Sequence, residues 1–272
     1  MDANDPDLKR GGPTFSLIFP TYNAASFVEG TWAAVLRFVR EAADSWEILF
    51  VCDGCKDGTA ERLEKLLPTA APARVRLVHY GPNRGKGYAV RRGMEEATGQ
   101  WRIFTDVDLA YGFDDVLRLA ATLRAGADVA IASRLHPQSR LVVPPSLQAY
   151  AYRRHLQSLV FSAVVRRLLP LTQRDTQAGL KGLSARAVRL ILPQLQCNGF
   201  GFDCELLVAC LKQGLKVAEV PVTMRCESQA STTSLRSMRH MLGELWTIRR
   251  SWAGKLNGEL AGGTTQGQRQ AA

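Results

Sequence analysis

Apolar residues recur along the first half of the chain in two alternating rhythms. Short, nearly continuous apolar runs stand at 14–19, 46–51, 75–79, 101–106 and 128–133. Runs of this length, rich in β-branched and aromatic residues, predict strands buried on both faces, as in a parallel sheet. Between them the spacing changes to three and four residues. Phe27, Trp32, Val35, Leu36 and Val39 predict a helix capped by Ser26. Further helices are predicted from Asp57 or Thr59, over 88–97 and over 113–123. Strand, loop and helix repeating with short connections argue for an α/β architecture with a largely parallel sheet. In such sheets ligands sit beyond the carboxyl ends of the strands.

The second half is less regular. Prolines between 136 and 147 predict a loop. A long helix is predicted over 150–169, with Arg153 and Arg154 at one end and Arg166 and Arg167 at the other. A short strand should follow Asp175–Lys181, then a helix from Ser184, then a helix over 202–213 stopped by Gly214. Residues 216–222 predict a strand whose Pro221 favours a sheet edge. Leu235, Met238, Met241, Leu242, Leu245, Ile248 and Trp252 share one stripe of a basic amphipathic helix over 234–252. That stripe suits either an anionic membrane or the domain itself. The expected layout is a disordered 1–13, a folded domain over 14–233, the amphipathic helix at 234–254 and a disordered Gly, Thr and Gln rich tail at 255–272.

Composition narrows this picture. An apolar content of 46 % and a charged content of 22 % fit a globular protein with a real core. The net charge of +10 admits nucleic acid, an anionic membrane or a phosphorylated substrate as partner. Aromatics do not interleave with the basic clusters as on an RNA platform, which argues against nucleic acid. The opening residues are acidic and polar, unlike a secretory signal, and no apolar run reaches bilayer length. With six cysteines on such a chain, reduced thiols in a cytoplasm are expected. Cys52 and Cys55 have C-x-x-C spacing, but no second such pair completes a zinc site.

Candidate chemistry gathers just after the strand ends, at Tyr22, Asp53, Asn83 to Lys86, Asp106, Asp108 and Arg134. In a strand continuing through Asp106-Val-Asp108, the two carboxylates would point the same way. Like charges held that close repel unless a cation or proton lies between them. Mg²⁺ or Mn²⁺, shared with substrate phosphates, is the natural partner; the alternative is an ordinary turn. Lys86 stands between Gly85 and Gly87, where backbone can approach a phosphate closely.

Eight segments in order carry a resemblance. Pro20-Thr-Tyr-Asn23 resembles P-x-Y-N, and Cys52-Asp-Gly-Cys-Lys-Asp-Gly-Thr59 resembles D-D-G-S-x-D-G-T. Asn83-Arg-Gly-Lys-Gly-Tyr-Ala-Val-Arg91 with Gly93-Met94 resembles N-x-G-K-G-x-A-V-R-x-G-M. Thr105-Asp-Val-Asp-Leu109, Ala132-Ser-Arg134 and Asp175-Thr-Gln-Ala-Gly-Leu-Lys181 resemble T-D-A-D-L, G-S-R and D-T-Q-x-G-F-K. Phe202-Asp-Cys-Glu-Leu-Leu207 and Glu219-Val-Pro-Val222 resemble F-D-x-E-L-L and E-V-P-V. Over roughly 14–223 the chain resembles the family 2 glycosyltransferases, above all the dolichyl-phosphate and polyprenyl-phosphate glucosyl- and mannosyltransferases. Ala24, Cys52 and Cys55 depart from the family's acidic residue, first Asp and Ser, and these changes bear on the nucleobase pocket. They also make each Cys an ordinary motif position.

The resemblance implies a single Rossmann-like domain of the A-type nucleotide-sugar transferase fold, with the amphipathic helix appended. It implies an inverting, metal-dependent transfer of glucose or mannose from a UDP- or GDP-linked sugar to a lipid-linked phosphate, at the cytoplasmic face of a membrane. Asp106 and Asp108 would hold Mg²⁺ or Mn²⁺. Pro20, Tyr22, Asp53, Gly85, Lys86 and Asp106 would bind the donor, Asp53 by accepting from a base N–H; Arg84 and Arg91 are further candidates. Arg134, Arg154 and Ser158, or Arg153 instead, would cradle the acceptor phosphate. A hydroxyl acceptor would need a carboxylate base, for which Asp203 or Glu205 would stand. Asp175 could orient a loop or the acceptor. The remaining alternative is a non-catalytic nucleotide-sugar-binding membrane scaffold.

Overall fold

The computed structural model describes residues 12–70, 74–225, 241 and 243–251. The apolar runs lie where burial on both faces demands them. β1 (Phe15–Thr21), β2 (Trp46–Asp53), β3 (Arg74–Tyr80) and β4 (Trp101–Phe104) pair in parallel in the order β3-β2-β1-β4. The side-chain alternation of β1 feeds two cores at once. Phe15, Leu17 and Phe19 join one cluster, while Ile18 faces the other. Phe15 lies opposite both Trp46 and Trp101 and stacks on each, at ring centroids of 4.7 and 5.0 Å. Such pairs add about 0.5–1.5 kcal/mol each beyond their burial.

Helices cover both faces. α1 (Val28–Glu41) and α2 (Thr59–Leu66) pack on the first face. Ser26 does not cap α1: the amides of Phe27 and Val28 donate instead to the Ala24 carbonyl. Asp57 serves the start of α2 by accepting from the Thr59 amide. α3 (Lys86–Glu96) covers the second face, and α4 (Phe113–Arg124) the first. β5 (Val129–Ser133) then extends the sheet.

Beyond β5 the layout departs from the simple pattern. Residues 140–142 form a short strand, β6 (Arg140–Val142), where a loop is expected; the prolines on either side only bound it. α5 (Gln148–Leu168) follows, then β7 (Lys181–Ser184), which runs antiparallel between β4 and β5. α6 (Ala185–Ile191) is capped by Ser184, whose hydroxyl accepts from the Ala187 amide. α7 (Phe202–Lys212) leads to β8 (Val217–Pro221), the edge strand that Pro221 foretells. β9 (Thr223–Arg225) pairs in parallel with β6 in a separate two-stranded sheet. The seven-stranded order is β3-β2-β1-β4-β7-β5-β8.

Residues 241 and 243–251 are helical. Leu245 and Ile248 are buried in the second core and Met241 is buried as well, so this part of the stripe packs on the domain. Arg249 and Arg250 face solvent. The other stripe residues Leu235, Met238, Leu242 and Trp252 lie outside the described residues, as do 1–11 and 255–272.

Candidate active site

All the parallel strands end at one rim. Antiparallel β7 begins at that rim, with Lys181 opposite Phe104, so the segment before β7 meets the segment after β4. β4 stops at Phe104, and Thr105 continues only as an amide donating to the Ile18 carbonyl at 3.0 Å. The chain then turns: the Leu109 amide donates to the Asp106 carbonyl, and Leu109 adopts φ +54°. A turn therefore places Asp106 and Asp108, not the strand alternation expected.

Asp106 Oδ1 accepts from Lys86 Nζ at 2.6 Å. Burial alone would lower the Lys86 pKa, but Asp106, then Asp203 and Asp108, hold it above its usual value. The other Asp106 oxygen rests on Gly179, where an added Cβ would stand 1.9 Å away. Gly179 is thus a site residue that the sequence reading missed; its Ala-Gly neighbourhood hints at a close approach, but not to which residue. Asp108 is exposed and accepts from the Ala110 amide at 3.1 Å. Its carboxyl is held above the ordinary range, first by partial desolvation and then by the charge of Asp106.

The glycine-rich loop is held from beneath. Asp53 is buried, and its carboxylate accepts from the amides of Arg84 (2.7 Å) and Gly85 (2.8 Å) and from Asn83 Nδ2 (2.9 Å). These contacts make Asp53 a support for the loop. Gly85 has φ +102°, and a Cβ there would stand 2.4 Å from the Asn198 carbonyl oxygen. A Cβ at Gly87 would meet Phe202 Cβ at 2.6 Å. Both glycines are needed by the packing of 197–202, a different reason from the phosphate approach expected. Lys86 opens α3 between them. Arg84 stacks on Tyr88 at 3.9 Å, and Arg91 donates to the Leu195 carbonyl and the Asn198 side chain. Tyr22 is half exposed beyond β1, and Pro20 sits within β1 opposite Val51.

Across the rim, Arg134 follows β5. Its Nε donates to Asp175 Oδ2 at 2.6 Å and its Nη2 to Oδ1 at 2.8 Å, while its amide adds a third bond to Oδ2 at 3.0 Å. Asp175 is fully buried. Burial alone would raise its pKa, but Arg134 outweighs that and holds it below the usual range. Arg134 Nη2 also reaches Ser158 Oγ of α5 at 3.4 Å. Ser158 thus lies beside Arg134. Arg153 is exposed near the Tyr150 ring, away from this corner, and the Arg154 side chain lies outside the described residues.

The two candidate bases are both engaged in buried contacts, Asp203 close enough to Lys86 to act on its charge. Asp203 is buried and accepts from buried Lys181. Glu205 is buried and accepts from the amides of Gln196 (2.9 Å) and Cys197 (2.8 Å). Both carboxylates are thus occupied by hydrogen bonds within the fold. The departures at Ala24 and Cys52 are likewise absorbed: both side chains are buried in the first core rather than lining an open pocket.

A family model, "Glycosyl transferase family 2", matches residues 16–188. The chain belongs to that family. It is 30 % identical to Glycosyltransferase AglD of Haloferax volcanii over 89 % of this chain and 37 % of that protein. It is 29 % identical to the dolichyl-phosphate beta-glucosyltransferase of Saccharomyces cerevisiae, over 76 % of this chain and 66 % of that one. The polyprenol monophosphomannose synthase of Mycolicibacterium smegmatis is 27 % identical over 91 % of this chain and 92 % of its own length. The chain therefore spans from about a third to nearly all of these relatives' lengths. Among solved structures, mannosyl-3-phosphoglycerate synthase from Rubrobacter xylanophilus superposes with a TM-score of 0.62 at 17 % identity, over 89 % of this chain and 75 % of that one. Glucosyl-3-phosphoglycerate synthase from Mycobacterium tuberculosis, crystallised with Mn²⁺, UDP and glucosyl-3-phosphoglycerate, gives a TM-score of 0.60 at 17 % identity, over 88 % of this chain and 81 % of that one. These likenesses establish the A-type nucleotide-sugar transferase fold.

Proposed function

We propose that the chain moves glucose or mannose, with inversion, from a UDP- or GDP-linked sugar to a polyprenyl or dolichyl phosphate. The observation that carries this reading is the convergence of Lys86, Asp106 and Asp108 at the rim after β4, with β7 between them and the end of β5 that carries Arg134. Lys86 supplies a cation for a donor diphosphate, and Asp106 keeps it charged and aimed. The donor set suits a hard divalent cation: among the described residues it offers two carboxylates and no larger cluster of ligands, leaving positions for phosphate oxygens and water. Asp106 and Asp108 would hold Mg²⁺ or Mn²⁺, which as a Lewis acid neutralises the departing diphosphate. Two of the named relatives are lipid-phosphate sugar transferases, which supports the choice of acceptor.

An acceptor phosphate is already ionised near neutral pH and needs no base. Its oxygen forms the bond to the sugar C1 as the bond from C1 to the diphosphate breaks on the opposite side. Arg134 spends Nε and Nη2 on Asp175 and Ser158, which leaves Nη1 to meet the acceptor. A hydroxyl acceptor would instead need a carboxylate base, and Asp203 and Glu205 are both committed elsewhere. Among the described residues no helix is long and apolar enough to cross a membrane. This reading puts the protein at the cytoplasmic face of a membrane as a peripheral partner.

The test is transfer of labelled hexose from UDP- and GDP-sugars to polyprenyl phosphate with Mn²⁺ or Mg²⁺. Full activity of Asp108→Asn contradicts the metal assignment, and full activity of Arg134→Ala contradicts the phosphate acceptor.

A further inference from the structure

Lys86 opens α3, and the first turn of a helix has amides with no partner inside it. Gly85, just before it, offers no side chain to cap them. The partner comes from the segment 195–202. The Asn198 carbonyl accepts from the Gly87 amide at 2.8 Å and from the Tyr88 amide at 3.4 Å. One turn further along α3, Arg91 donates to the Leu195 carbonyl and to the Asn198 side chain. Phe202 packs against Gly87 at the other end of the same segment. The start of α3, and Lys86 with it, therefore rests on 195–202.

That segment needs an anchor of its own, because it holds two glycines and no strand or α-helix before Phe202. Glu205 binds its first half through the amides of Gln196 and Cys197. Its second half is held by Glu244, 43 positions beyond Gly201 in the chain. Glu244 Oε2 accepts from the Gly201 amide at 2.8 Å. Gly201 is the residue before α7, where a carboxylate also meets the positive end of the helix dipole. A Cβ on Gly199 would stand 2.1 Å from Glu244 Oε1, and one on Gly201 would stand 2.8 Å from Glu244 Cβ. Both glycines leave the room that this side chain fills. Glu244 is itself fixed in place: Met241 and Ile248, three and four residues away on the same side of the helix, are buried, as is Leu245.

We propose that Glu244 is a positioning residue of the donor site: by holding 195–202 it seats the first turn of α3 and aims Lys86 at the donor diphosphate. Glu244 touches neither donor nor metal in this account. The inference rests on the proposed role of Lys86, and it extends the working unit beyond residues 16–188, where the family model matches, to the C-terminal helical segment.

The experiment compares the full chain with Glu244→Ala and Glu244→Gln. Glutamine keeps an acceptor oxygen at the same reach for the Gly201 amide, and alanine does not. Backbone hydrogen exchange is followed by mass spectrometry on the ligand-free proteins. Peptides covering 84–91 and 196–202 should exchange about tenfold faster in Glu244→Ala, with β1 and β2 at parental rates and Glu244→Gln close to the parent throughout. In the transfer assay Glu244→Ala should raise the KM for nucleotide sugar about tenfold and leave the acceptor KM unchanged, with glutamine restoring the parental value. Loss of stability alone would lower the active fraction without moving the donor KM. If the alanine variant does not fold, Glu244→Asp, which draws the carboxylate back by one methylene, is read in its place. Three results overturn the proposal: parental exchange at 84–91 in the alanine variant, equal acceleration in β1 and β2, or a parental donor KM beside a reduced kcat. The exchange measurement needs no nucleotide, so a parent chain without transfer would count against the proposed function while exchange still decides this inference.

Discussion

The rim has two charged corners, and they are built to different rules. At one, Lys86 and Asp106 share a single 2.6 Å bond, and both side chains remain partly exposed. At the other, Arg134 and Asp175 share three bonds around a carboxylate with no exposure at all. Partly exposed pairs are worth little and exchange partners readily, whereas removing one member of a buried pair costs several kcal/mol. The first corner can therefore yield to a ligand, and the second is a clasp that holds shape. The same contrast separates Asp108, which faces solvent and accepts from backbone, from Asp203, locked against Lys181.

The largest test of this contrast is Asp175→Ala. It leaves the Arg134 guanidinium without its partner and should lower unfolding free energy by about 3–5 kcal/mol. The urea midpoint reads this, and a loss under about 1 kcal/mol would erase the distinction between the corners. Asp108→Asn should do the reverse. Transfer should fall about a hundredfold or more, as when a charge-stabilising group is removed, while stability stays within about 0.5 kcal/mol. Steady-state kinetics and thermal melts on one preparation check both halves.

Gly179→Ala joins the two corners. The new methyl must push Asp106 off its seat, so donor affinity should drop about tenfold, with a stability cost of about 1–3 kcal/mol. A variant with parental donor affinity would mean that Asp106 need not sit where it does. Acid unfolding gives a smaller effect. The folded pKa of Asp175 lies below its unfolded value of about 3.9, so its contribution is complete above that value. It is lost as pH falls through the folded pKa, below about pH 4. Asp175→Asn should lack this part of the acid transition. The smallest effect concerns thiols. Cys55 is pulled below the ordinary thiol range by its hydrogen bond with Cys52, while burial pushes Cys204 and Cys210 up to about 12. Among the described cysteines, Cys55 should alkylate first with iodoacetamide at pH 8, and mass mapping of the modified peptide would show otherwise if this is wrong.

Much of the fold was legible in the sequence because parallel strands buried on both faces leave continuous apolar runs, as at 46–51. β6 was not legible, because three exposed residues between prolines carry no burial pattern. The antiparallel direction of β7 depends on its neighbours, not on its own residues. At the site, Asp106, Asp108 and Arg134 follow strand ends, as the apolar runs imply, but what positions them was not legible. Asp106 and Asp108 owe their position to a turn, and Gly85 and Gly87 owe theirs to the 197–202 segment. Asp203 and Glu205 looked like helix-opening acids available for chemistry. Only the fold shows a buried lysine beneath one and two loop amides on the other. Gly179 was missed because its partner is 73 positions away in the chain.

The most direct test of the central claim is calorimetric titration of UDP and GDP into the protein, with and without Mn²⁺, for the parent chain and Asp108→Asn. Binding of one nucleotide that requires Mn²⁺ and is lost in Asp108→Asn is the predicted result. Binding of equal strength without the cation, and undiminished in the variant, would contradict the account.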